Sequence, residues 1–587
     1  MRELALTLLF TLLATGIAAA QELHIPKTML GRDCLFGSRL VKVNRESGKA
    51  FSDGQMKEQP LLVSFDIEND TLLIIRQKGY TDAQGVSLKT RVAKENLFEL
   101  KVFSAEGDTL SVDATSLLRT YPLAVTVITP KELKGDATGS KLLQVGEDEG
   151  LLKILMDYKY SDGLEAEVLL FFLVLKDEPE ELRRLDEKKV GYNSLEYRDA
   201  DGNKVLKAQR WLLTDARKIR FYVDRAFPEA WFQFIKEGIE DWNKAFEAVG
   251  LGTVLEVLPE PQGLDRNSPL VNMVRFIPGK EANAKGQVLV DPRSGEILQA
   301  DIFWWEGVTG LLKDWRYIQT GASDSDARLL DYPIEMLGPM IRHAICHEAG
   351  HVLGLSHNMG ASFAYTPEQL RDKDFTAVFG TTASVMDYAR YNHIATVDDV
   401  RNGVNLLPPR IGPYDMYAIA EGYSERGSVP GAYCFFSPFI SAAISPDPSS
   451  QSESLSNDLL YSSERGLQNC RELLGLDGLN EERMDLIKKY YYRYIHLTLA
   501  NIGGSVHGMP VPMRLQRATV DFVLKSLENV PAEISDVEEE KRIINELNGN
   551  FLPKRIAENH GQSQRGRYQH RLERNKYYKN YKKNEHK

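Results

Sequence analysis

Apolar and polar positions divide the 587-residue chain into three stretches of different period. From about 22 to 205 the pattern is that of strands. Leu61–Ile67, Thr71–Arg76, Leu97–Phe103, Leu123–Ile128 and Leu164–Leu175 are alternating or β-branched runs separated by Gly, Asp and Pro. After a short strand at Lys218–Asp224 the period changes. Trp231, Ile235, Ile239, Trp242, Phe246 and Val249 recur at intervals of three and four, which predicts one amphipathic helix ended near Gly250. Its aromatic stripe reads as core packing. Val271–Ile277, Gln287–Val290 and Ile297–Trp304 read as strands, the last two joined by a tight loop at Asp291–Gly295. A further helix starts near Pro333. Strand, helix, strands and helix in this order predict a mixed α/β domain with a twisted sheet. Ser445–Ser463, rich in Ser, Asp and Pro, reads as a loop. Helices follow over Glu481–Leu499, Leu515–Leu527 and Ser535–Leu547, the last opening on a Ser535-x-x-Glu538 capping box.

The N-terminus departs from all three patterns. Met1-Arg2-Glu3, the apolar run Leu4–Ile17 and Ala18–Ala20 have the form of a secretory signal, and the run is short for a membrane span. No second long apolar run follows. The expectation is an exported protein with no membrane span after signal removal, placed in the periplasm, at the cell surface or outside the cell. Hydrophobic content of 43% and charged content of 26% are ordinary for a globular chain, and a net charge of −11 argues against nucleic acid as a partner. The end is different: Arg565–Lys587 holds nine Lys or Arg against two Glu, a net charge of +7, and reads as a solvated tail. Four cysteines make no disulfide framework at this length. Cys434 and Cys470 could pair, whereas Cys346 and Cys34 read as packed thiols.

The chemistry is concentrated in the helix that starts near Pro333. It carries His347-Glu348-Ala-Gly-His351-Val-Leu-Gly354-Leu-Ser-His357. His347 and His351, four residues apart, share one helical face and reach one metal ion. Gly354 permits the left-handed conformation that ends the helix and turns the chain back, bringing His357 round as the third ligand. Three neutral nitrogens leave a fourth tetrahedral position for water, the arrangement of a catalytic zinc site. Glu348, one step round the helix, is the candidate general base. His343 forms a rival pair with His347 but is not needed to complete the set, and His393 has no ligand spacing; both read as residues beside the ligand set or at the surface. Ser323-Asp-Ser-Asp326 lacks a full calcium loop and reads as a turn.

This eleven-residue pattern resembles the zinc signature of the metzincin endopeptidases at every fixed position. The resemblance extends to Ala383-Ser-Val-Met386-Asp-Tyr388, similar to the family's methionine turn. It implies that Met386 lies as a floor beneath the imidazoles and that Tyr388 can bind the resting metal and stabilise the transition state. Gly238-Ile-Glu-Asp-Trp-Asn-Lys-Ala-Phe, His357-Asn-Met, the stretch from Ser384 to Tyr391 and Ile411-Gly-Pro-Tyr-Asp are similar to large exported bacterial metalloproteases of the same clan. Those proteins have a β-rich module before the catalytic domain and a helical region after it. The expected organisation is a signal peptide over 1–20, a β-rich module over 21–205, a metzincin-like α/β (α+β) catalytic domain over 206–430, a helical region over 431–564 and a basic tail over 565–587.

The function expected from these readings is zinc-dependent hydrolysis of a protein or peptide substrate. Gln287–Val290 is the candidate edge against which a peptide would lie, and the stretch between His357 and Met386 is the candidate specificity pocket. A catalytically silent scaffold of the same shape is the alternative, against which the intact Glu348 argues. A hydrolase of non-peptide substrates would use the same groups.

Overall fold

The computed structural model describes residues 21–43, 54–56, 60–77, 94–115, 117, 140–148, 150–159, 165–179, 191–198, 204–213, 218–407, 411–424, 447–506 and 509–547. The leader, the Leu123–Ile128 run, Cys434 and the basic tail lie outside them. Among the described residues no helix is long and apolar enough to cross a membrane.

The first part of the chain is β-rich, as its pattern predicts. Its strands are β1 (Glu22–Pro26), β2 (Cys34–Val43), β3 (Leu61–Glu68), β4 (Thr71–Gln77), β5 (Lys94–Ser104), β6 (Thr109–Asp113), β7 (Lys141–Asp148), β8 (Leu151–Lys159) and β9 (Glu165–Val174). They form one antiparallel sheet in the order β1-β6-β5-β4-β3-β2-β9-β8-β7. Phe36, Phe65, Phe98 and Phe172 fill its inner face, with Phe36 stacked on Phe172 at 4.6 Å. Its long apolar strand β9 is buried on both faces, because Phe171 and Leu173 turn outward onto the next unit.

Two short strands, β10 (Ser194–Arg198) and β11 (Lys204–Ala208), form a hairpin ahead of the second sheet. That sheet contains β12 (Arg210–Trp211), β13 (Ile219–Val223), β14 (Leu255–Pro259), β15 (Asn272–Ile277), β16 (Ala284–Val290) and β17 (Glu296–Trp305). The order β12-β17-β15-β13-β14 is parallel throughout, and among the described residues β16 pairs antiparallel with β17 alone. Gly295, at φ +88°, closes the β16–β17 hairpin. The single helix expected after β13 is two, α1 (Phe232–Glu240) and α2 (Asn243–Ala248). The break has a cause: the Asn243 side chain accepts from Val254 and Leu255 N–H and donates to the Leu255 carbonyl, tying the start of α2 to the next strand.

Helix α3 (Val308–Thr320) leads to α4 (Ile334–Val352), which carries the first two histidines. Helices α1 and α4 touch at Gly238, where a Cβ would lie 2.7 Å from the Arg342 carbonyl oxygen. Arg342 fixes the pair through Asp241 at 2.7 Å and through Glu237.

At β16 and β17 the other face of the sheet is covered by the N-terminal module. Leu35, Leu62, Phe171 and Leu173 pack on Leu289 and Leu298. Within this seam Asp301 is fully buried between Arg39 at 3.3 Å and Arg275 at 3.5 Å, and Arg39 also donates to Gln299. Arg293 reaches back to Asp33 at 3.0 Å and to the Lys176 carbonyl.

Helix α5 (Pro413–Tyr423) joins the core of the second sheet through Tyr414, Tyr417, Ala418 and Ile419, and the last region is helical: α6 (Leu459–Leu474), α7 (Glu481–Thr498), α8 (Met513–Glu528) and α9 (Val537–Asn545). Its core takes in Tyr317 and Ile318 of α3. Two expectations need correction. The predicted loop ends at Asp458, whose side chain caps α6, so Ser462 and Ser463 are buried helical residues. The cap of α9 is Asp536, which accepts from Glu538 and Glu539 N–H, while Ser535 bonds Glu540 instead. Cys34, Cys346 and Cys470 are buried cysteines outside any disulfide.

Breaking the buried Arg39–Asp301 pair by Arg39→Met should lower the unfolding free energy by about 1–3 kcal/mol in a urea titration, because Gln299 loses its donor and Asp301 is left with Arg275 alone. His496 joins α7 to α9 through Glu539 at 2.7 Å and Glu546 at 3.5 Å. Burial lowers its pKa, but hydrogen bonds to Glu546 and Glu539 outweigh this and the net shift is upward. The stability it contributes is therefore full below the unfolded value of about 6.5 and lost as pH rises through the folded value. His496→Gln should lower the melting temperature at pH 5.5 and have little effect at pH 9.

Candidate metal centre and active site

Three imidazoles meet where α4 ends. The metal-ligating atoms of His347, His351 and His357 lie within 4.8 Å of one another, with His351 Nε2 and His357 Nε2 3.2 Å apart. Tetrahedral ligands at 2.0–2.1 Å from one zinc ion stand about 3.3 Å apart, so this donor set fits that metal. The opposite ring nitrogens are occupied: His347 Nδ1 bonds the Val385 carbonyl at 2.7 Å and His351 Nδ1 the Leu355 carbonyl at 2.9 Å. Those bonds select the tautomer that leaves Nε2 to the metal. Burial holds all three imidazoles neutral, with His347 well below its ordinary value, His351 lowered, and His357 down to about 3.

Gly354 sits at φ +99°, and Leu355 N–H donates back to the Gly350 carbonyl at 2.9 Å to close the turn. A Cβ there would also lie 2.0 Å from the Gln209 carbonyl oxygen. The turn is strapped from outside by Asn193 N–H on the Gly354 carbonyl and Ser356 N–H on the Gly191 carbonyl. Residues 191–198, ahead of the expected domain start, thus pack with the catalytic unit.

Met386 is fully buried beneath this centre. Its Sδ occupies the space that a Cβ on Gly350 would take, 2.2 Å from that position. A position free in the motif is thereby fixed by the methionine turn. The turn itself hangs on Asp415, near the start of α5, which accepts from Ser384 Oγ at 2.6 Å and from Val385 N–H and Gly412 N–H at 2.8 and 2.7 Å. Val385 is the residue whose carbonyl holds His347, so Asp415 acts on the centre through two hydrogen bonds. Tyr388 is half-buried, its ring centre 4.6 Å from that of His357 and 5.6 Å from that of His347.

Glu348 lies beside the triad, and its Oε2 accepts from Gly286 N–H of β16 at 2.7 Å. Burial pushes its carboxyl up to about 7. β16 comes this close because Gly286 has no side chain; a Cβ would lie 3.0 Å from that of His351. The edge expected at Gln287–Val290 is this strand, extended upstream to Ala284.

A cavity of about 230 Å³ opens next to His347 and Glu348. Its walls are Ala282–Ala284, Val308, Leu311, Leu312, Trp315, His343, Ala344, Asp387, Tyr388, Arg390 and Tyr391. The stretch between His357 and Met386 does not line it, contrary to expectation; α3, far upstream of the motif, does. His343 is thus a cavity-lining residue outside the triad. His393 is neither at the surface nor near the metal: it is buried against Tyr494, with its carbonyl accepting from Asn469. Asp324 caps a turn and pairs with Arg316 at 3.1 Å. Sequence reasoning did not single out Asp415, Gly286, Trp315 or Arg390 as site residues. Of these only Asp415 left a signal, the Gly-Pro-Tyr-Asp start of a helix.

Asp415→Asn keeps the shape but replaces one accepting oxygen with an NH2 that cannot accept from the turn's donors. It should weaken zinc affinity about 10–100-fold in chelator competition, with circular dichroism unchanged. Unchanged affinity would mean that the turn holds His347 without it.

Residues 330–574 match the model of a family described as Met-zincin. No curated protein and no solved structure matches the chain. The match begins just ahead of α4 and covers the triad, the methionine turn and the helical region. Together with three histidines in the metzincin spacing it implies a zinc-dependent metalloprotease. The chain is thus similar to the Met-zincin family over residues 330–574.

Proposed function

We propose that the protein is an exported zinc endopeptidase with His347, His351 and His357 as metal ligands, Glu348 as general base and Tyr388 as a transition-state hydrogen-bond donor. The observation that carries this reading is the position of Glu348, between the three converging imidazoles and the edge strand β16. Export rests on the leader pattern of residues 1–20.

An extended peptide adds to the open edge of β16 through backbone hydrogen bonds, which sets its scissile carbonyl over the triad. When bound, zinc supplies the Lewis acidity that makes water nucleophilic near neutral pH and stabilises charge on the carbonyl oxygen. Glu348 accepts the proton of the attacking water and passes it to the amine as the C–N bond breaks. Its desolvated carboxylate is a stronger base than an exposed one, and the Gly286 N–H keeps it aimed. The Tyr388 hydroxyl donates to the oxyanion of the tetrahedral stage. Met386 and Gly350 keep the floor dry and the helix end rigid.

Purified protein assayed on casein and a peptide library should cleave both, with about one zinc per chain. Glu348→Gln should reduce kcat by about 10²-fold or more at unchanged zinc content. Tyr388→Phe should lower kcat by about 10²-fold with KM little altered. Equal cleavage by wild type and Glu348→Gln would remove the basis of the proposal.

A further inference from the structure

One cation in the cavity beside the metal centre has no part in the chemistry above. Arg390 lines the cavity together with Val308, Leu311, Leu312 and Trp315. Its guanidinium carbon lies 3.2 Å from the centre of the Trp315 ring and 4.6 Å from that of Tyr388. The planar group is thus held by aromatic faces, which leave its N–H edges free to point elsewhere. Its Nε is buried without a hydrogen-bond partner, and no side chain or carbonyl among the described residues accepts from its other nitrogens. The nearest carboxylate, Glu453, stands 3.8 Å from Nε, beyond hydrogen-bond reach, and is engaged with Arg493 at 2.7 Å. Two arginines therefore share one acid and a positive charge remains. Asp387 also faces the cavity, but its oxygens already accept from Ser362 N–H, Thr382 Oγ1 and Ala389 N–H.

Glu453 is held in place at some cost. It sits at φ +63° and Ser456 at φ +67°, both in the left-handed region, within a loop whose Ser449, Gln451 and Ser454 are buried. The helical region thus carries a strained loop whose acid faces the cavity's cation. With the Arg390 side chain only 16% exposed, its charge is poorly screened.

We propose that Arg390 is the specificity-determining residue of this cavity and selects substrates that present a carboxylate to it. The source is the acidic side chain of a residue next to the scissile bond, or the free C-terminal carboxylate of a peptide. This rests on the peptidase reading above. Apolar walls take the methylene stem, and the guanidinium fork meets the carboxylate with two parallel hydrogen bonds. A volume of about 230 Å³ is below the ~300–1,000 Å³ of small-molecule pockets, as suits a single side chain or chain end. An uncharged isostere leaves the desolvated guanidinium without an acceptor, which is where discrimination arises.

The test compares peptides of one sequence that carry Glu, Gln or Lys next to the scissile bond, with amidated ends. A second set ends just beyond that bond with a free or an amidated terminus. Wild type should favour Glu over Gln, or free over amidated, by about 10- to 100-fold in kcat/KM, and the set that responds identifies the source. Arg390→Gln should abolish the preference and Arg390→Glu should turn it towards Lys, at wild-type zinc content and melting temperature. Equal cleavage of Glu and Gln peptides and of both termini by wild type overturns the proposal, however the variants behave. Binding of two peptide hydroxamates that differ only in Glu or Gln, followed by calorimetry, separates the two readings. A Glu preference in binding without cleavage of any peptide would support Arg390 and sink the peptidase reading. Cleavage without preference would sink Arg390 alone, and no preference in either measurement also overturns its role.

Discussion

A metal-binding imidazole is oriented by the partner of its other ring nitrogen, and two of the three histidines here are held in that way. His347 and His351 each give their Nδ1 to a backbone carbonyl, those of Val385 and Leu355. Both carbonyls belong to segments with no regular structure, so each has to be fixed from elsewhere. Asp415 gathers the Val385 segment through two donors, Ser384 Oγ and Val385 N–H. The Leu355 segment is fixed by the left-handed Gly354 and by its bonds to residues 191–193. Two ring nitrogens thereby draw in a helix start some sixty residues downstream and a strap well over one hundred residues upstream.

The metal centre also lies at a junction. α4 meets α1 on one flank, where Gly238 allows the helices to touch, and β16 on the other, where Gly286 allows Glu348 to be anchored. The helical region closes a third side through α3 and through the buried loop that carries Glu453. Glycine is used in each case because the neighbour approaches to within a methyl group's reach.

What the sequence reveals follows from the range of the interactions. His347, Glu348, His351, Gly354 and His357 are legible because helical spacing and a single turn place them together. Strands β3, β4, β5 and β9 announce themselves by alternating or continuous apolar runs, whereas β7, largely exposed, has no such pattern. The α1–α2 break is invisible to periodicity, since Trp242 and Phe246 stay on the apolar stripe while Asn243 diverts the backbone towards β14. The cavity walls could not be foreseen because α3 is brought in by tertiary packing alone, and nothing about Trp315 or Arg390 in the linear pattern distinguishes them from core and surface residues. The Ser-rich stretch before α6 is polar by composition but buried in fact, its hydroxyls satisfied by neighbours within the loop.

Strand β17 lies between two layers, with nine of its ten residues buried. One side belongs to the catalytic unit, the other to the N-terminal module, and Asp301 on that second side is neutralised by an arginine from each. At this strand the sheet consequently has no outside. A catalytic unit of this kind is not an interchangeable part: grafted behind a different module, it would need a new guanidinium opposite Asp301 and a new apolar surface opposite Leu289. Change on either side of the seam is constrained by the other.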